Sequence, residues 1–445
     1  MFLSPHDVKT VADRLLARST ADACVIGVEG GEEQSLRFAR GGATTNMAVA
    51  DLTVRISSHV AGRIGSVAVS CLDDDSLDIA LARSEEIARL LPADPNYVAP
   101  LGPQAYARSR RYDEATGMLT LGALTEAAAR VIDEGARREV ETFGCAGSGR
   151  RFEALATSAG LFAYDRRSEI EISATARNRA DTWSGWAGAN KFCVGALDVA
   201  GVARRACDKA AHDDAPVDLD PGRYTVIFEP AATAELARWL LHMMNARAAD
   251  EGRSFFSRKG GGIKLGEAVF DAKLTLRSSP ADPLAPEGAI GFEGVPHESR
   301  LWIENGVVST LYRSRFWAQK TEREAVPHAR CFTMGGGGDA SLDDMIRATR
   351  RGVLVTRLWY TNMVDPRGLL LTGLTRDGNF LIENGRVVAP ARNMRFNESL
   401  SALFARIEAM GPTERVWRAM GAGGTCAAPP MLVEGFHFSS KSSGI

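Results

Sequence analysis

Clustered cysteines, a surplus of positive charge and long apolar runs are all missing from this 445-residue sequence. The seven cysteines, Cys24, Cys71, Cys145, Cys193, Cys207, Cys331 and Cys426, form no C-x-x-C pair or short-spaced group, which argues against a disulfide framework and a structural zinc ribbon. The 53 Lys and Arg nearly balance the 55 Asp and Glu, leaving a formal net charge of −2. Phosphate neutralisation, which dominates nucleic-acid affinity, therefore has no electrostatic footprint here. No stretch reaches the roughly 18 consecutive apolar residues of a membrane span, and Met1 to Asp7 lacks the basic and apolar regions of a secretory signal. These absences predict a cytoplasmic protein with reduced thiols and neither a nucleic-acid nor a membrane partner. Catalytic signatures are also missing: no G-x-S-x-G elbow, S-x-x-K, phosphate-binding G-x-x-x-x-G-K-[ST] or dinucleotide-binding G-x-G-x-x-G occurs. The seven histidines are dispersed, with no i, i+4 pair on a helix to hold a metal.

What is there suits a globular protein, with 45% hydrophobic and 24% charged residues, enough for about two to four compact units. Ser4-Pro5-His6-Asp7 carries the signals of a helix start, and apolar residues follow at helical spacing. β-type runs at 23–29, 35–40 and 52–57, divided by Gly30-Gly31 and Gly41-Gly42, predict an antiparallel meander. Asp73-Asp74-Asp75 lacks the glycine and distal glutamate of a calcium loop and reads as the start of a helix reaching about Leu91. Four prolines between Leu91 and Pro103 predict a stiff connector. Beyond it, a helix over 124–140 and strands over 151–156 and 169–176 loosely repeat the first pattern, which suggests duplication without a residue-level repeat.

Further on, Val199 to Ala211 reads as a helix, Tyr224 to Phe228 as a strand and Ala231 to Ala249 as a buried helix carrying His242. Ile-Glu-Asn-Gly recurs at 303–306 and 382–385, and Asn-Gly is a strong type I′ hairpin signal. The expected fold is α+β. An N-terminal domain of helices and antiparallel strands spans 1–215, with a sub-boundary at 92–104, and a mostly β C-terminal domain, barrel-like or a sandwich, spans 216–445.

Two glycine clusters invite a ligand reading. Gly335 to Gly338 precedes Ser341 and Asp344, an S-x-x-D helix cap with no lysine in phosphate-loop register. Arg258, Lys259, Gly260, Gly261 and Gly262, followed by Lys264, form either an exposed charged turn or a close-approach site whose cations hold a peptide carboxylate.

Over essentially the whole chain, and most specifically in its C-terminal half, the sequence resembles the TldD/PmbA family, also called modulators of DNA gyrase or peptidase family U62. The resemblance is carried by Phe255 to Gly262, Gly294-Val295-Pro296, Leu301 to Gly306, Gly338 to Ser341, Val355 to Tyr360, Thr372 to Gly378, Phe380 to Gly385 and Asn393 to Asn397. It implies a heterodimeric zinc metallopeptidase that cleaves unfolded peptides or trims leader peptides of peptide natural products. In that family the TldD-type subunit carries His-Glu-x-x-x-His on a helix after a β run, with a late cysteine completing the zinc site. Here the corresponding place reads Glu229-Pro230-Ala231-Ala232-Thr233-Ala234, without either histidine, and Cys426 stands where the late cysteine falls. The resemblance therefore points to the TldE/PmbA type: no cofactor and no catalytic residue in this chain, zinc in a TldD-type partner, and an extended peptide as substrate. Chamber-wall or interface candidates are Arg357, Trp359, Tyr360 and Asn362, with the Arg258 to Gly262 turn. Two alternatives stay open: an autonomous hydrolase using His242, Glu229 or Glu235, and a homodimeric peptide-binding or scaffolding protein.

Overall fold

The computed structural model describes residues 1–212, 215–335, 338–417 and 424–442. Helix α1 (Pro5–Arg18) begins with a full capping box, in which Ser4 and Asp7 satisfy each other's backbone N–H groups. Strands β1 (Ala23–Ala39), β2 (Gly42–Val60) and β3 (Arg63–Val69) follow as an antiparallel meander, and α2 (Asp74–Leu90) is N-capped by Asp73. The pattern then repeats. A short turn of helix, α3 (Glu114–Gly117), leads into α4 (Leu121–Arg137), β4 (Glu141–Thr157), β5 (Phe162–Arg177), β6 (Ser184–Lys191) and α5 (Val199–Ala210). The strand order β3-β2-β1-β4-β5-β6 makes one six-stranded sheet, in which two helix–three-strand–helix units meet at the antiparallel β1–β4 pair. The duplication suggested by element order is thus architectural.

One expectation fails here. Gly30-Gly31 does not divide two strands, because β1 runs through it. These glycines serve strand packing: a Cβ on Gly31 would lie 2.6 Å from the Arg150 carbonyl, and one on Gly30 would lie 2.8 Å from that of Asp51.

The proline-rich connector and the stretch after it to Tyr112 have no regular element and bridge the sheet and the C-terminal half, with the Leu101 carbonyl accepting from Thr157 at 2.7 Å and that of Ala99 from Arg315 at 2.7 Å. Tyr106 donates to the Gly294 carbonyl at 2.7 Å and Ser109 to that of Glu287 at 3.0 Å. Arg111, deeply buried, pairs with Asp165 at 2.6 Å and Glu153 at 2.7 Å.

In the C-terminal half, β7 (Gly222–Phe228) precedes α6 (Pro230–Met243). Then come β8 (Thr275–Ser278), β9 (Arg300–Glu304), β10 (Val307–Val308), β11 (Phe332–Gly335), β12 (Arg351–Asp365), β13 (Leu370–Glu383) and β14 (Arg386–Pro390). The chain ends with β15 (Met394–Ser399), β16 (Ile407–Met410), β17 (Glu414–Val416), β18 (Cys426–Ala428) and β19 (Met431–Lys441). Strands β12, β7, β19, β15 and β13 pair in that order, and β13 returns to β12, which closes a five-stranded barrel-like sheet. A second sheet runs β10-β9-β8-β11-β18-β17. Helix α6 lies between the barrel and this sheet, and its Leu236, Leu240 and Leu241 join Phe228, Trp302, Phe396 and Phe436 in the largest core.

Both Asn-Gly turns take the expected form, with φ of 48° and 79° at Asn305-Gly306 and 48° and 76° at Asn384-Gly385. The predicted helix over 231–249 breaks after Met243 and restarts at Ala246, because the Asn245 side chain accepts from the Ala248 N–H as a new N-cap. Among the described residues no helix is long and apolar enough to cross a membrane, and the seven cysteines are all thiols.

Candidate functional site

Strand β12 enters the barrel core through Val353 and Val355 and then changes character. Its register against β13 shifts between Trp359 and Asn362, and Tyr360 takes a φ of 49°. This bulge turns two aromatic rings outward: Trp359 is 40% exposed and Tyr360 71%. Asn362 donates to the Tyr360 carbonyl at 2.9 Å and so braces the bulge.

Around the bulge is a groove of about 250 Å³. Arg357, Trp359 and Tyr360 form one wall, Ala231, Glu235 and Arg238 of α6 another, and Trp186, Trp417 and Cys426 complete it. The Arg357 guanidinium lies 4.7 Å from the Trp186 ring centroid and 5.3 Å from that of Trp359. Its counter-ion is Asp377, which also accepts from Ser184 Oγ at 2.9 Å. Burial pulls the Arg357 pKa down, and Asp377 opposes that pull. Arg376 stands 5.5 Å from the Trp359 ring, while Trp186 and Trp417 meet edge to face at 5.5 Å. The result is a cation-braced aromatic surface.

The carboxylates near the groove are committed. Glu235 pairs with Arg238 at 2.7 Å and accepts from Trp239 Nε1 at 3.1 Å. Glu229 pairs with buried Lys209 at 2.7 Å and accepts from Thr356 Oγ1 at 3.2 Å. His242, expected on a core element, is exposed, its ring 6.2 Å from that of Trp239. None of these three residues forms a nucleophile–base pair of the kind the autonomous-hydrolase alternative needs. The donor set does not suit zinc either: α6 offers the groove no imidazole, its carboxylate is neutralised, and Cys426 contributes one thiol. Among the described residues no three His, Cys, Asp or Glu side chains converge as a metal site.

A second cavity, of about 520 Å³, continues from the groove and shares Trp186, Ala231, Val416 and Trp417 with it. Its lining also carries Lys191, Arg205 and Arg415.

The other candidate segment lies elsewhere. Arg258 to Gly262 is an exposed turn closed by the Arg258 N–H on the Gly262 carbonyl at 2.9 Å, and it lines neither cavity. Gly260, Gly261 and Gly262 have φ of 88°, 110° and 85°, and Cβ atoms on the first two would meet nothing within 4 Å. The glycines are there for backbone conformation, and Arg258 is paired with Glu267. Trp186, Trp417, Glu235 and Arg238 were not marked as groove residues by any local pattern.

Residues 221–440 match the family model for the PmbA/TldA metallopeptidase C-terminal domain. A metalloprotease of Methanothermobacter thermautotrophicus is 22% identical over 231 residues, 49% of this chain and 49% of its own, so the match spans about half the length of that curated relative. Among solved structures, TldE from Thermococcus kodakarensis superposes with a TM-score of 0.85 at 18% identity, over 98% of this chain and 99% of that one. A candidate modulator of a DNA gyrase from Thermotoga maritima gives 0.83 at 18% identity, over 97% and 99%. A candidate modulator of DNA gyrase from Bacteroides thetaiotaomicron gives 0.83 at 21%, over 98% and 99%. At these identities the likeness is one of fold.

Proposed function

Since this chain belongs to the PmbA/TldD metallopeptidase family through residues 221–440, we propose that it is the non-catalytic, TldE-like subunit of a heterodimeric zinc peptidase acting in the cytoplasm. A TldD-type partner supplies the zinc and the hydrolysis, and this chain supplies part of the wall that holds an unfolded peptide or a leader segment. The observation that carries this reading is the face that α6 turns to the groove, Ala231, Glu235 and Arg238, where small, committed and cationic side chains stand beside Cys426. A Trp- and Tyr-lined groove fits main-chain and aromatic recognition of varied peptides. Exposed Trp359 and Tyr360 are accessible to such a peptide. Residues Ala43 to Ala50 of β2 are exposed, and β3 pairs with β2 only from Val54 onward, which leaves an open strand edge for a partner subunit.

The test is cleavage of an unstructured peptide by the complex assembled with a TldD-type subunit. With Trp359→Ala and Tyr360→Ala together, the expected result is a KM raised about tenfold, as for loss of an aromatic anchor, with assembly and zinc content unchanged. A variant complex that cleaves with the parental KM would overturn the wall assignment.

A further inference from the structure

The cavity of about 520 Å³ beyond the groove has an unbalanced lining. Of its carboxylates, Glu229 is taken by Lys209, and Asp198 accepts from the Gly201 N–H as the N-cap of α5. Glu414 on the lining, which acts on Lys191, and Glu169, which acts on Arg415 and accepts from Asn190, leave two carboxylates for the three cations. The Arg415 guanidinium is buried, and its hydrogen bonds go to neutral acceptors, Asn190 Oδ1 at 2.6 Å and the Leu284 carbonyl at 3.0 Å. Among the described residues neither Lys191 nor Arg205 has an ion-pair or side-chain hydrogen-bond partner. Burial first, and then Arg415 and Arg205, push the Lys191 ammonium below its ordinary range. Like charges gathered at a concave surface, with fewer counter-ions than cations, favour a bound anion.

We propose that this cavity is a carboxylate subsite, in which Lys191 and Arg205 receive the C-terminal carboxylate of a peptide whose preceding residues lie along the Trp186–Trp417 groove. The positions support this directly, because Trp186, Ala231, Val416 and Trp417 line both spaces, so an extended chain passes from aromatic contacts to cations without leaving the surface. Buried Arg415 adds a fixed positive charge to those of the two solvent-accessible donors, which make charge-assisted hydrogen bonds to the oxyanion. The proposal deepens the peptide-binding reading above and rests on it.

The experiment is isothermal titration of the full chain, alone and in the assembled complex, with one unstructured peptide in free-acid and C-terminally amidated forms. The acid is expected to bind about tenfold more tightly. That preference should vanish in Lys191→Gln/Arg205→Gln, reverse in Lys191→Glu, and shrink at about 0.5 M salt. Both positions are solvent-accessible, and an unchanged thermal midpoint confirms that each variant folds. Equal affinity of the two forms for the parent protein overturns the subsite and leaves the peptide reading standing. Failure of the chain and the complex to bind either form overturns the reading beneath it. Inorganic phosphate that binds more tightly than the peptide acid also overturns the assignment, by giving the cavity to a phosphate ligand.

Discussion

His328 sits beside the rings of Tyr312 and His242, at 5.6 Å and 5.7 Å, with its Nε2 buried and without a hydrogen-bond partner. Burial, and then the neighbouring His242, push its pKa down to about 4. In the unfolded chain the imidazole takes up a proton near pH 6.5, whereas in the folded protein it does so only near 4. Between these values the unfolded state binds more protons, so stability falls as the pH drops through that window. The expected loss from this residue is on the order of 2 kcal/mol between pH 7.5 and pH 5. Buried His297 shifts in the same direction. Urea unfolding at the two pH values checks this: His328→Gln should lose less stability than the parent on acidification, and an identical loss would refute the assignment.

At the scale of elements, a largely buried ion pair joins the two halves of the chain. Lys209 at the end of α5 reaches Glu229 just before α6 at 2.7 Å and also donates to the Trp186 carbonyl at 3.2 Å. Glu229→Gln strands a buried ammonium and is expected to cost about 3–5 kcal/mol. Glu229→Leu with Lys209→Met, which removes both charges, should recover most of that. Thermal midpoints of the parent, single and double variants decide it, and a single variant as stable as the parent would contradict it.

The elements show which features are legible locally. The caps at Ser4, Asp73 and Ser341 and both Asn-Gly turns could be read because each is set by residues within one turn of chain. The unbroken run of β1 across Gly30-Gly31 could not, since the glycines answer to carbonyls on β2 and β4. Arg357, Trp359 and Tyr360 were marked in the sequence by a block resembling a family. The groove they share with Trp186 and Trp417 was not, because those rings arrive from β6 and from the end of β17, and only tertiary pairing brings them together.

Taken whole, the molecule has a six-stranded sheet with duplicated architecture, a connector pinned by Arg111, and a closed barrel-like sheet beside a second sheet that shares its core. The α+β class and the Asn-Gly hairpins followed from periodicity and turn chemistry, while barrel closure depends on pairing β7 with the distant β12 and β19, which no local signal encodes. The candidate chemistry concentrates in one aromatic groove and its cationic extension. Zinc content and cleavage of an unstructured peptide, measured together on the purified lone chain and on its mixture with a TldD-type subunit, test the partner-subunit assignment most directly. The expected result is no zinc and no cleavage in the lone chain, with both appearing in a co-eluting complex. One zinc per chain, with peptide cleavage by the lone protein, would contradict it.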